Sequence, residues 1–236
     1  MRDEKARDMS EDTDRKDALV PNPCAEEHPI LLSLLIETLA EGDVFVDVGA
    51  NTGYFAVPIA KTVGSTGRVH AFEPAADVAE QLRRAARMQG VEPRLTVHEF
   101  ALGSGDGSTN LRADPEHPED STKRSLFMWN GPTVGEVAVR SFDGLVASGA
   151  VDLSTGLHAV KIDVEGAEMH VLAGMRRTLE RDRPRMIVVE TIETHLRRAG
   201  STVAAINAFL RDLGYVAMND ARVARPLELN AVFVPA

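Results

Sequence analysis

The sequence carries one cysteine, Cys24, among 236 residues. That excludes an intrachain disulfide framework and a cluster of metal-binding thiolates. No stretch approaches the roughly 20 consecutive apolar residues of a membrane span. There is no basic excess either. Lys and Arg number 26 against 36 Asp and Glu, and the net charge of −10 speaks against a nucleic-acid footprint. No Lys/Arg run appears, and the pair Arg176-Arg177 on an expected helix reads as a solvated face. A Walker loop, a Gly-x-Ser-x-Gly elbow and zinc-type ligand spacing are all missing. The opening MRDEKARDMSEDTDRKD has mixed charge and no apolar core, unlike a signal peptide. Residues 1–27 are expected to form a disordered charged tail, and the protein is expected to be cytoplasmic.

What is present suits one domain over residues 28–236. The hydrophobic fraction is 44%, enough for a substantial core. An apolar run at 28–40 predicts an N-terminal helix over 28–41, stopped at Gly42. A strand at 43–48, a helix over 54–63, a strand at 68–74, a helix over 75–90 and a strand at 94–102 follow at βαβ spacing, the signature of a parallel sheet. Pro58 inside the second helix predicts a kink or a late start. Residues 113–133 lose all periodicity and read as an insertion or lid loop. Short strands are expected at 108–112 and 134–142. The α/β rhythm resumes with a strand at 158–165, a helix over 167–181, a strand at 184–191 and a helix over 201–213. Segments 214–219 and 230–236 predict a closing antiparallel hairpin.

The stretch 44-VFVDVGANTGYF-55 carries the first functional signal. In an open α/β sheet, ligands bind beyond the carboxyl ends of the strands. Glycines there admit positive φ and close ligand approach. Asn51 stands where a dinucleotide fingerprint needs its second glycine, which argues against NAD or FAD. Glu73 ends the second strand, 24 positions after Gly49. An acid at this place accepts hydrogen bonds from ribose hydroxyls in nucleoside-binding folds. Standing alone, it reads equally as a helix-start charge ahead of Pro74.

VDVGANTGYF, GRVHAFEP, VKIDVEGAEMHVLAGM, IVVET and NAVFVP occur in that order. Over roughly residues 42–236 the chain resembles the FkbM family of S-adenosylmethionine-dependent methyltransferases. The resemblance implies the Rossmann-like class I methyltransferase fold, a seven-stranded, mostly parallel sheet with helices on both faces. It implies methyl transfer to oxygen atoms of small molecules, often natural products and sugars of secondary metabolism. It also places the cofactor. Gly49 and Gly53 would admit its methionine part, Asp47 and Asn51 would order that loop, and Glu73 would hold the ribose. Residues Glu99 to Leu102, Ala101 among them, would flank the adenine.

Methylating an alcohol needs alignment and a route for the proton. In 161-KIDVEGAEMH-170, Asp163 and Glu165 project to the same side if the strand continues. They can serve as base and orienter or as ligands for Mg²⁺. Alternatively Asp163 orders the cofactor loop and Glu165 caps the next helix. Glu190 closes the following strand, and His195 is a further base candidate that reads equally as a surface histidine. No resident metal site is assigned. His98, His158 and His170 read as structural. Phe127, Met128 and Trp129 predict an apolar contact for a hydroxylated small-molecule acceptor, or an anchor for the loop. The N-terminal helix and the 113–133 loop are expected to wall that acceptor. The rivals are a nicotinamide-dependent oxidoreductase, a non-catalytic cofactor-binding module and, against the charge, a nucleic-acid methylase. The sequence leaves the oligomeric state open.

Overall fold

A computed structural model of the protein describes residues 23–120, 124–126, 131–218 and 229–236. The elements in chain order are α1 (Pro23–Thr38), β1 (Val44–Val48), α2 (Ala56–Thr62), β2 (Arg68–Phe72), α3 (Ala76–Met88), β3 (Leu95–His98), β4 (Ala101–Leu102), β5 (Gly107–Ala113), β6 (Arg124–Ser125), β7 (Thr133–Arg140), α4 (Phe142–Ala147), β8 (Ala159–Ile162), α5 (Glu168–Gly174), α6 (Arg176–Asp182), β9 (Met186–Glu190), α7 (Glu193–Arg198), α8 (Val203–Asp212), β10 (Tyr215–Ala217) and β11 (Asn230–Pro235).

Seven strands form the main sheet in the order β10-β11-β9-β8-β1-β2-β3. All pairings are parallel except those of β11, which runs antiparallel to both β9 and β10. This is the expected seven-stranded, mostly parallel sheet with its C-terminal antiparallel hairpin. Every residue of β1 (VFVDV) and β9 (MIVVE) is buried, as in strands covered on both faces. Phe45, Val69, Leu31, Leu35, Ile59 and Leu82 pack one face under α1–α3. Val46, Ile162, Leu172, Leu179, Leu196 and Leu210 pack the other under α5–α8. The chain goes from β1 to β2 on one side and β8 flanks β1 on the other, so the strand order reverses at β1. The crevice at that reversal is where such sheets bind ligands. No described helix is long and apolar enough to cross a membrane.

Several elements depart from the sequence expectations. Helix α1 begins at Pro23, five residues before the expected start at 28, and Glu27 explains its anchoring. Its carboxylate accepts from Leu229 N and Asn230 Nδ2, fastening α1 to β11. Pro58 is the third residue of α2, where a backbone N–H has no intrahelical acceptor to lose. The expected strand at 94–102 divides. β3 stays in the main sheet, and β4 joins a second sheet ordered β4-β7-β5-β6. That small sheet takes in the ends of the 113–133 segment and packs Leu111, Leu126 and Val137 against Ala75 and Val78 at the start of α3. The expected helix over 167–181 breaks at buried Met175 into α5 and α6. Gly174 lies so close to Gly103 that a Cβ would sit 1.9 Å from its carbonyl oxygen. The tail residues 1–22 lie outside the described residues, as do Phe127, Met128 and Trp129.

Candidate functional site

The turn after β1 is locked by backbone bonds. Gly49 N and Ala50 N both donate to Phe72 O at 3.0 Å. Gly49 has φ +76, and a Cβ there would lie 1.8 Å from Asp163 O. The turns after β1 and β8 therefore interlock, and only glycine permits it. Asn51 also has positive φ, +49, a conformation asparagine tolerates. Its N–H donates to Glu73 Oε2 at 3.1 Å, which ties the β1 turn to the end of β2. Gly53 answers to a different demand. It faces α3, where a Cβ would meet Leu82 Cδ1 at 2.3 Å, and it does not line the cavity.

Glu73 is buried at the cavity wall. Its other oxygen accepts from Ala75 N at 2.9 Å. Burial raises its carboxyl above the ordinary range, and the two backbone donors oppose that rise. Ala101 and Leu102 line the same end of the cavity, with Phe72 and Phe100. Arg124, from β6, closes over it. Its guanidinium grips Asp77 of α3 at 2.6 and 3.1 Å, while its buried Nε has no hydrogen-bond partner.

Strand β8 ends at Ile162, so Asp163 and Glu165 do not project together as an extended strand would place them. Glu165 instead adopts φ +58. Asp163 turns to Lys161, whose ammonium lies 3.2 Å from Asp163 Oδ2 and 3.6 Å from Asp47 Oδ1. Lys161 stands directly opposite Asp47 in the β1–β8 register. Burial disfavours its charge, but the two aspartates outweigh that and hold its pKa above the ordinary value. Asp47 is fully buried behind the cavity wall and points at this lysine rather than into the open space. Burial raises its pKa, against the pull of Lys161.

Glu165 reaches His195 of α7, with Oε2 3.2 Å from Nδ1, and Glu190 Oε2 lies 3.6 Å from the same nitrogen. The glutamate makes no helix-capping bond, and the turn around it is held by Glu168. The Glu168 side chain, fully buried, accepts from Val164 N at 3.0 Å and Gly166 N at 3.1 Å through one oxygen. Burial lifts its carboxyl to about 7. Glu190 is pushed up by burial, then by Asp163. For His195, burial favours the neutral ring, but Glu165 and Glu190 prevail and raise its pKa.

These parts surround a cavity of about 380 Å³. Of the residues singled out in the sequence, Gly49, Asn51, Glu73, Ala101, Asp163, Glu165 and Glu190 line it, and His195 stands behind the two glutamates. His28 of α1 lines the opposite wall, its ring 5.5 Å from Tyr54 and 5.4 Å from Phe55. Arg124, Ser125 and Leu126 line it from the inserted segment. Sequence reasoning missed Lys161, Glu168 and Arg124. The available signal was a lysine two residues before an acid inside an otherwise apolar strand, a position that demands a buried partner.

A family model described as the methyltransferase FkbM domain matches residues 47–217, more than half of the chain. The hexuronic acid methyltransferase AglP of Haloferax volcanii is 31% identical over 153 residues, covering 64% of this chain and 57% of that protein. The chain thus matches little more than half the length of this curated relative. Among solved structures, a Clostridium thermocellum protein provisionally named as an rRNA methylase superposes with a TM-score of 0.54 at 12% identity, over 91% of this chain and 96% of that one. At that identity the likeness speaks for the fold alone, the class I methyltransferase fold.

Proposed function

The chain belongs to the FkbM methyltransferase family, and from that premise we propose that it transfers a methyl group from S-adenosylmethionine to a hydroxyl oxygen of a small cytoplasmic acceptor, a sugar or other natural product of secondary metabolism. A sugar is favoured by the hexuronic acid named for its relative. The observation that carries the reading is the meeting of four strand ends, those of β1, β2, β8 and β9, around one cavity, with a ribose-type acid at one end and a carboxylate–histidine cluster at the other.

The residues present fit the cofactor. The positive-φ turn at Gly49–Asn51 brings close-packed backbone to the cavity wall, and Glu73 keeps acceptor capacity there. Lys161 and Asp163 offer opposite charges to the amino-acid end. When bound, S-adenosylmethionine supplies an electrophilic methyl on a sulfonium. The protein's task is alignment, which can supply about 7–11 kcal/mol of the barrier. The acceptor hydroxyl belongs over the ends of β8 and β9, between Asp163, Glu165 and Glu190. His28 and Tyr54 form the facing wall, suited to the apolar face of a sugar ring.

Titration calorimetry with S-adenosylhomocysteine tests the cofactor assignment. Saturable binding that weakens by about 1–3 kcal/mol in Glu73→Ala is expected, the size of a hydrogen bond to a charged group. Absence of binding to the wild type would refute it. A radiolabelled methyl-transfer screen of hydroxylated sugars then tests the acceptor class.

A further inference from the structure

Three side chains beyond β8 and β9 converge, held to one another by charge and not by aligned hydrogen bonds. Glu165, Glu190 and His195 each offer one ligand atom within 4.8 Å of the other two, and Glu165 Oε2 and Glu190 Oε2 lie 3.2 and 3.6 Å from His195 Nδ1. Yet His195 Nδ1 and Glu190 Oε2 are buried and neither has an aligned hydrogen bond. Glu190 is 6% exposed and lines the cavity. A buried carboxylate oxygen left in this state is costly, and natural proteins seldom keep one without a reason.

The surroundings hold the three atoms in place. Glu165 occupies φ +58, which a non-glycine residue adopts at some cost. Glu168 pins the turn on both sides of it through Val164 N and Gly166 N. Gly166 lets α7 approach so closely that a Cβ would stand 2.8 Å from His195 O. Backbone strain and tight packing thus aim two carboxylates at one imidazole nitrogen.

A cation would satisfy all three atoms. Ligand atoms about 2.1 Å from a metal stand about 3.0–3.4 Å apart in octahedral or tetrahedral geometry. The 3.2 and 3.6 Å separations at His195 need little adjustment to meet that. The imidazole donor selects against Mg²⁺, which prefers all-oxygen sites, and the two carboxylates favour Mn²⁺ or Fe²⁺ over softer ions.

We propose that Glu165, Glu190 and His195 bind one divalent first-row metal ion whose open positions face the cavity. Its place in catalysis rests on the methyl-transfer reading. A hydroxyl coordinated there loses its proton to bulk water more readily, as metal-bound water does. The alkoxide oxygen then forms the new O–C bond, the C–S bond breaks with its electron pair returning to sulfur, and the products are an ether, a neutral thioether and one proton.

The test uses the full chain, stripped with a chelator and titrated with Mn²⁺ while free Mn²⁺ is followed by its electron paramagnetic resonance signal. One ion per chain is expected in the wild type. Affinity should fall tenfold or more in Glu190→Gln and in His195→Ala. Glu165→Gln, whose side chain is 39% exposed and poses little folding risk, should lose affinity in the same way. Co²⁺ should give a visible spectrum that changes in His195→Ala. No Mn²⁺ binding by the wild type, or equal binding by all three variants, overturns the proposal. S-adenosylhomocysteine calorimetry on the same stripped sample keeps the two readings apart. Cofactor binding without Mn²⁺ binding refutes only the metal site, and Mn²⁺ binding without cofactor binding refutes only the methyl-transfer reading.

Discussion

The turns after β1 and β2 and the turns after β8 and β9 face each other across one cavity, but they are finished differently. On the first side the backbone groups of the turns are closed, although Asp47 behind them is held by the charge of Lys161 rather than by an aligned hydrogen bond. Both Glu73 oxygens accept backbone N–H groups, and Gly49, Ala50 and Asn51 all donate to β2 or its end. On the second side Glu190, Glu168 and His195 each keep a buried atom without an aligned partner. The first side is a preorganised cradle made of backbone. The second is a set of side chains poised for something not made of protein. A preorganised turn lowers the cost of binding, whereas unsatisfied groups repay whatever ligand completes them.

The largest blow to this arrangement is Gly49→Ala. The new methyl would strike the Asp163 carbonyl at 1.8 Å at a φ of +76, joining both turns in one clash. A loss of about 3 kcal/mol or more is expected in urea denaturation. S-adenosylhomocysteine binding should be lost with it.

Next come two opposite responses to pH. Glu168 has its carboxyl raised to about 7 by burial. Between its unfolded value and that point the folded protein holds the extra proton, so stability is full at low pH and is lost as pH rises through 7. Ionisation should cost about 3 kcal/mol. Glu168→Gln retains an acceptor for Val164 N and Gly166 N and should remove this loss, seen by comparing urea midpoints at pH 5 and pH 8. A pH-independent difference between mutant and wild type would contradict it. At the end of β3, His98 is lowered to about 4 by burial and by His70 beside it. Here the unfolded chain binds more protons, so stability is full above pH 6.5 and falls on acidification toward pH 4. A partly screened loss of about 2 kcal/mol is expected, abolished in His98→Phe. The smallest effect belongs to Arg124→Ala. It removes an ion pair to a half-exposed aspartate and should shift stability by no more than about 1 kcal/mol in thermal melts.

The closed side was the legible one. Its signals are local: glycines and an asparagine where φ turns positive, and an acid at a strand end. Asp47 was visible too, but its direction was not, because that depends on Lys161 across the β1–β8 pairing, more than a hundred residues away in sequence. Glu168 lies within KIDVEGAE, where nothing in the sequence sets it apart. A glutamate at the start of a helix looks like a surface charge until burial is known. The second sheet escaped because Ala101-Leu102 continues the apolar pattern of β3, and nothing in two residues tells which neighbour they will pair with. The break at Met175 was hidden for a related reason. Gly174 marks a close backbone approach to Gly103, a contact no periodicity encodes. The mostly parallel sheet, by contrast, was plain from strand–helix spacing, since fully buried strands leave uninterrupted apolar runs.

The contact between Gly49 and the Asp163 carbonyl also sets a rule for anyone wishing to alter what this protein binds. Grafting the 163–167 turn from a related protein would import a new backbone path onto a surface with no slack, and cofactor affinity would suffer along with acceptor choice. Side-chain libraries at Glu165, His28 and Tyr54 leave that joint untouched, so acceptor preference is best explored from the walls inward.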